Sequence, residues 1–98
     1  MPYINESARL ELDSCIENMV ECLTHGNDVS NEEFTVLLGE INYCFSRILA
    51  KSMGQISYSK IAMITGVLEN VKQEFYRRIA TSYEEKKIIE NGDIKEYR

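Results

Sequence analysis

The stretch that decides the fold is residues 58–79, YSKIAMITGVLENVKQEFYRRI. Its apolar residues recur as Ile61, Ile64, Leu68, Val71, Phe75 and Ile79. Steps of three and four residues keep all six on one stripe of an α-helix. Beside the stripe stand Lys72, Tyr76, Arg77 and Arg78, the densest cationic-aromatic cluster of the chain. The spacing predicts a helix over residues 58–81 that is both a core-former and the carrier of a candidate site.

Two further stripes flank it. Upstream, Phe34, Leu37, Leu38, Ile41, Phe45, Ile48 and Leu49 predict a helix over residues 31–53. Ser30 and Glu33 have capping-box spacing at its start, and Val29 with Phe34 has hydrophobic-staple spacing. Before that, Ala8, Leu12, Cys15, Ile16, Met19, Cys22 and Leu23 predict a helix over residues 6–25, with Asn5 as its N-cap. Gly26 and Gly54 follow the last periodic residues of these two helices and read as C′ positions. Pro2 and Tyr3 suggest an extended lead into the first helix.

The linker before the third helix is short enough to turn the chain back on itself, with Ser57 or Ser59 as its cap. Around Thr81 and Ser82 the pattern weakens. Ser82 and Glu85 repeat the capping-box spacing, so residues 83–90 read as a short helix, separate or continuing the third with a bend. Asn91-Gly92 stops it, and residues 93–98 form a charged tail. One proline and five glycines in 98 residues leave little material for β-turns. The expectation is an all-α single domain, an antiparallel three-helix bundle with a short C-terminal fourth helix.

The net charge is −5, which argues against non-specific binding to nucleic acid or anionic membranes. It is unevenly placed. Residues 1–40 hold nine acidic residues and one basic one, Arg9, a balance of −8; residues 41–98 hold seven and ten, a balance of +3. The basic half is therefore where an anion, or an acidic protein surface, would be met. Three cysteines fit a reducing cytoplasm. Cys15 and Cys22 lie two turns apart and cannot pair, and all three read as small buried hydrophobes. Neither a signal peptide nor a membrane span stands out.

Chemistry is sparse. A single histidine, His25, and the absence of a Cys-x-x-Cys pair argue against a metal site or other cofactor. His25 beside Gly26 suits a helix C-terminus, where a cation favours the dipole. No phosphate loop, nucleophile elbow or metalloprotease helix is present, so the expectation is a protein that is not an enzyme. Residues 59–78 carry a weak helix-turn-helix pattern in Ala62, Gly66 and Val71. The apolar stripe passes Gly66 without a phase break, however, which a turn would impose. Gly39 and Gly66 lie off their stripes, where each costs roughly 1 kcal/mol relative to alanine. They read as surface drift or as points of close approach.

The positive signal is polar-aromatic. Glu40, Tyr43 and Arg47 share one face of the second helix, away from its stripe. On the third, Lys72 and Tyr76 lie one turn apart. Glu74 and Arg78 have ion-pair spacing, which leaves Arg77 as the freer arginine. Tyrosine and arginine stack on rings and grip phosphates. The candidate ligand-binding residues are Lys72, Tyr76 and Arg77, with Tyr43 and Arg47 from a neighbouring surface.

The opening MPYI, Gly39-Glu40-Ile41-Asn42-Tyr43, Glu74-Phe75-Tyr76-Arg77-Arg78, and Tyr83-Glu84 leading to Asn91-Gly92-Asp93 resemble a family of uncharacterised small proteins of phages and bacteria. The resemblance covers nearly the whole chain. That family often has a proline before the Tyr83-Glu84 block, where Thr81 and Ser82 stand here. What the resemblance implies is a cytoplasmic accessory factor that blunts host defence. One form would be a homo-oligomeric sponge for an anionic nucleotide signal; the alternative is an inhibitor that docks on a host protein.

Overall fold

A computed structural model describes residues 4–98; the expected extended lead at Pro2 and Tyr3 lies outside the described residues. The described chain is helical, with no strand, and the all-α expectation holds. It divides into two compact units, Met1–Ser52 and Met53–Arg98.

The first unit is a hairpin of α1 (Glu6–Thr24) and α2 (Asn31–Ser52), and local chemistry sets its ends. The Asn5 side chain accepts the Ala8 N–H at 3.0 Å, satisfying one of the orphan donors of the first turn. At the other end His25 sits in the left-handed region at φ 54° and donates its N–H to the Glu21 carbonyl. Gly26 follows at φ 72°. The Ser30 hydroxyl accepts the Glu33 N–H at 3.2 Å and donates to the Glu33 carboxylate at 2.8 Å.

The second unit begins with α3 (Tyr58–Phe75), capped by the Ser57 hydroxyl, which accepts the Lys60 N–H at 3.2 Å. Of the two serines offered by the sequence, Ser57 is the cap. The Lys60 ammonium turns back onto the Met53 carbonyl at 2.9 Å. At its far end α3 does not stop. It passes through a π-helical segment, Tyr76–Ala80, into α4 (Thr81–Asn91) with right-handed helical backbone throughout. The fourth helix is thus a continuation. Thr81 and Ser82 do not break the run because the Thr81 N–H still finds the Tyr76 carbonyl, five residues back. Gly92 at φ 83° ends it, and a 3₁₀ turn lies beyond at Lys95–Tyr97.

Within each unit few apolar side chains are buried. Leu37, at 8% exposure, is the buried apolar residue among those described. On α1, Leu12, Ile16 and Met19 remain exposed; on the second unit, so do Ile61, Leu68, Val71, Phe75 and Ile79. The cysteines behave in the same way. Cys15 and Cys22 are exposed and Cys44 is half-buried, against the expectation of three buried thiols. Each of these residues lies on a face that the periodicity marked as apolar, and within its own unit that face is not covered.

Around Gly39 and Gly66 a Cβ would meet nothing within 4 Å. Replacing Gly66 by alanine should therefore raise stability by up to roughly 1 kcal/mol, a rise of several degrees in melting temperature. A lowered melting point would instead mark Gly66 as a point of close approach by a second molecule.

Candidate functional site

Two faces carry the residues that the sequence singled out, one in each unit. On α2, Arg47 lies over the Tyr43 ring, 5.8 Å from its centroid, and donates from Nη1 to the phenol oxygen at 3.3 Å. Four residues of spacing bring the two together, as neighbouring turns of a helix must. Glu40 is turned elsewhere. It borders a groove of ≈ 290 Å³ with Leu23, His25, Val29, Glu33 and Val36, where the end of α1 meets the start of α2.

The second face surrounds the π segment. Arg77 and Arg78 both donate to the same oxygen, Oε1, of Glu74. Arg77 is therefore no freer than Arg78, because positions three and four ahead of Glu74 both lie over its carboxylate. Lys72 stays exposed, 3.7 Å from Glu69. Tyr76 donates its hydroxyl to Glu84 at 3.4 Å. That contact spans eight residues. In an unbroken α-helix such a pair sits about 80° apart around the axis. A turn closed by five-residue bonds holds an extra residue and rotates the next helical turns back by a similar angle. The π segment thus brings Glu84 under Tyr76, and Thr81 ties it again by donating its hydroxyl to the Tyr76 carbonyl at 3.4 Å. Beyond it Lys87 lies over the Tyr83 ring at 5.6 Å.

The structure so brings Tyr43 and Arg47 together, and gathers Lys72, Tyr76 and Arg77 along one helix. These two groups belong to different compact units. Among the described residues no group of His, Cys, Asp and Glu gathers as a metal site, and no helix is long and apolar enough to cross a membrane.

The residues expected in the core of the first unit line a concave surface instead. Leu12, Cys15, Ile16, Met19, Val20 and Leu23 of α1, with Ile41, Phe45 and Ile48 of α2, border an open groove of ≈ 520 Å³ with no polar lining. These residues were legible as two apolar stripes. Nothing in the sequence distinguished a covered stripe from an open one.

The two arginines hold the Glu74 carboxyl below its ordinary value of 4.5, the Arg78 hydrogen bond contributing most, against a smaller opposing push from desolvation. A lowered folded-state pKa means stabilisation that is fully present above the ordinary carboxylate range. It is lost as pH falls through the lowered value. Following the Glu74 carboxylate by NMR should give a midpoint below the ordinary value. Replacing Arg77 and Arg78 together by glutamine should restore it. An ordinary midpoint in the native protein would show that the pairing does not persist in solution.

No curated protein and no solved structure matches the chain. A family model matches residues 1–94, and the chain belongs to that family, a domain of unknown function (DUF6899).

Proposed function

We propose that this chain acts by binding and not by catalysis, as an accessory protein whose α1–α2 groove takes an amphipathic helix of another protein. The observation that carries this reading is the apolar groove itself, lined by Ile16, Met19, Phe45 and Ile48 and open within the α1–α2 unit. Helix-in-groove recognition uses such a surface, with apolar anchors of the guest helix spaced at three and four residues. Charge selects the guest. Residues 1–52 hold nine acidic residues and three basic ones, and Glu11 and Asp13 flank the α1 stripe at helical spacing. A guest helix with lysine or arginine flanks meets complementary charge, which steers encounter and disfavours acidic competitors. In the phage or bacterial setting that the sequence resemblance implies, the guest is a host protein inhibited by occupation of its helix.

The nucleotide reading rests on a different observation, the exposed stack of Arg47 on Tyr43. It loses support on the second unit, where Glu74 already answers both arginines.

Two synthetic helices test the first reading. One has leucine anchors with lysine flanks, the other the same anchors with glutamate flanks. The lysine-flanked helix should bind saturably and at least tenfold more tightly, and Phe45→Asp should abolish the difference. Equal binding of both, indifferent to Phe45→Asp, would remove the groove as the site. A nucleotide released on heating the pure protein would transfer the assignment to the Tyr43–Arg47 face.

A further inference from the structure

Next to the apolar groove, within the same α1–α2 unit, lies the smaller groove of ≈ 290 Å³ where α1 ends and α2 begins. Leu23 lines both, so the two adjoin there. A helix seated on Met19, Val20 and Ile41 therefore has one end beside the smaller groove. Leu23, Val29, Val36 and Leu37 form its apolar part, and Leu37 is the buried apolar residue among those described. Its polar part is acidic. Glu33 and Glu40 stand two helical turns apart on one face of α2, about 10 Å along the axis. Val36 and Leu37 lie between them on that face. No lysine or arginine is among the lining residues.

The polar groups there are unevenly committed. Thr24 donates its hydroxyl to the Val20 carbonyl at 2.9 Å. Glu33 accepts the Ser30 hydroxyl on Oε1 at 2.8 Å, a bond to a neutral group that leaves its charge uncompensated. The Glu40 side chain makes no ion pair and no hydrogen bond among the described residues. Two carboxylates without a counter-ion, set over an apolar floor, are complementary to a side chain with an apolar stem and a cationic head. Arginine suits them better than lysine. Its guanidinium offers five donors in a fixed plane and can face a carboxylate on each edge, whereas an ammonium is a compact, strongly hydrated charge.

We infer that the smaller groove is the specificity pocket of the α1–α2 groove and takes one arginine of the guest helix, from the turn that lies beyond Leu23. The inference rests on the helix-in-groove reading and adds to it the identity and place of a single anchor. The arginine stem lies on Val29, Val36 and Leu37, and the guanidinium sits between Glu33 and Glu40. The other basic flanks of the guest act differently. They meet exposed carboxylates at the rim, where a pair is screened by water and salt and steers encounter more than it holds. The arginine in the pocket forms its pairs over an apolar floor that excludes part of that water, so it discriminates between guests that share the same apolar anchors.

Binding of paired synthetic helices to the full chain tests the pocket. All carry the leucine anchors and lysine flanks. One pair has arginine or citrulline one turn beyond the last anchor, and a second pair has the same exchange one turn before the first. Citrulline keeps the stem and shape of arginine and lacks its charge. At one end only, the end that lies against Leu23, arginine should bind roughly fivefold or more tightly than citrulline. In Glu40→Gln the two should bind equally. A preference of the same size at both ends, or one that survives Glu40→Gln, is general attraction to an acidic unit and overturns the inference. So does the absence of a preference at either end. Phe45→Asp separates these outcomes from a failure of the groove itself. If it weakens every helix while arginine and citrulline never differ, the groove stands without the pocket. If binding ignores Phe45→Asp, the groove falls and the pocket with it.

Discussion

Uncovered apolar surface is the constraint on which everything else in this chain depends. Covering a Val, Leu, Ile or Phe side chain fully is worth roughly 1.5–3 kcal/mol. Half-covering six of them, from Ile61 to Tyr83, forgoes on the order of 5 kcal/mol, the scale of a small domain's whole stability. Hydrogen bonds within helices and caps such as Asn5 and Ser57 fix where the helices begin and end. They do not supply that term, since each is worth about 1 kcal/mol net. The long helices are therefore well defined locally and under-covered within each unit, and the proposed function depends on where the cover of the α1–α2 face comes from.

The legible part of the fold was the part decided by near neighbours. Asn5, Ser30 with Glu33, Gly26, Gly54 and Gly92 each act within a few residues, and each stands where the sequence placed it. The all-α class and the faces of the stripes were equally local, since they need only the helical period. The covering of a stripe is not local. Cys15 and Cys22 were assigned to the interior because they lie on the α1 stripe, and they are exposed because that stripe is open. Periodicity reports which side of a helix avoids water, but not what molecule covers it.

The π segment was not legible in this way. Ile79 lies eighteen residues, five whole α-helical turns, after Ile61, so the apolar stripe passes that point without a phase break. Tyr76 and Glu84 gave no sign either. A spacing of eight has no helical meaning until the extra residue between them is known, and then it becomes the expected contact.

The cationic-aromatic cluster, Glu74 to Arg78, changes character in this light. A five-residue helical bond is a rarely adopted geometry, and it persists only where surrounding contacts over-determine it. Those contacts are the named residues of the cluster. Glu74 gathers Arg77 and Arg78 at the entrance, and Tyr76 reaches across to Glu84. Thr81 closes the turn with both its hydroxyl and its N–H on the Tyr76 carbonyl. An anion arriving at Arg77 would have to compete with a carboxylate already in place, on a side chain that also holds the turn. The chemistry that resembles a ligand site is occupied in holding the wide turn of the helix.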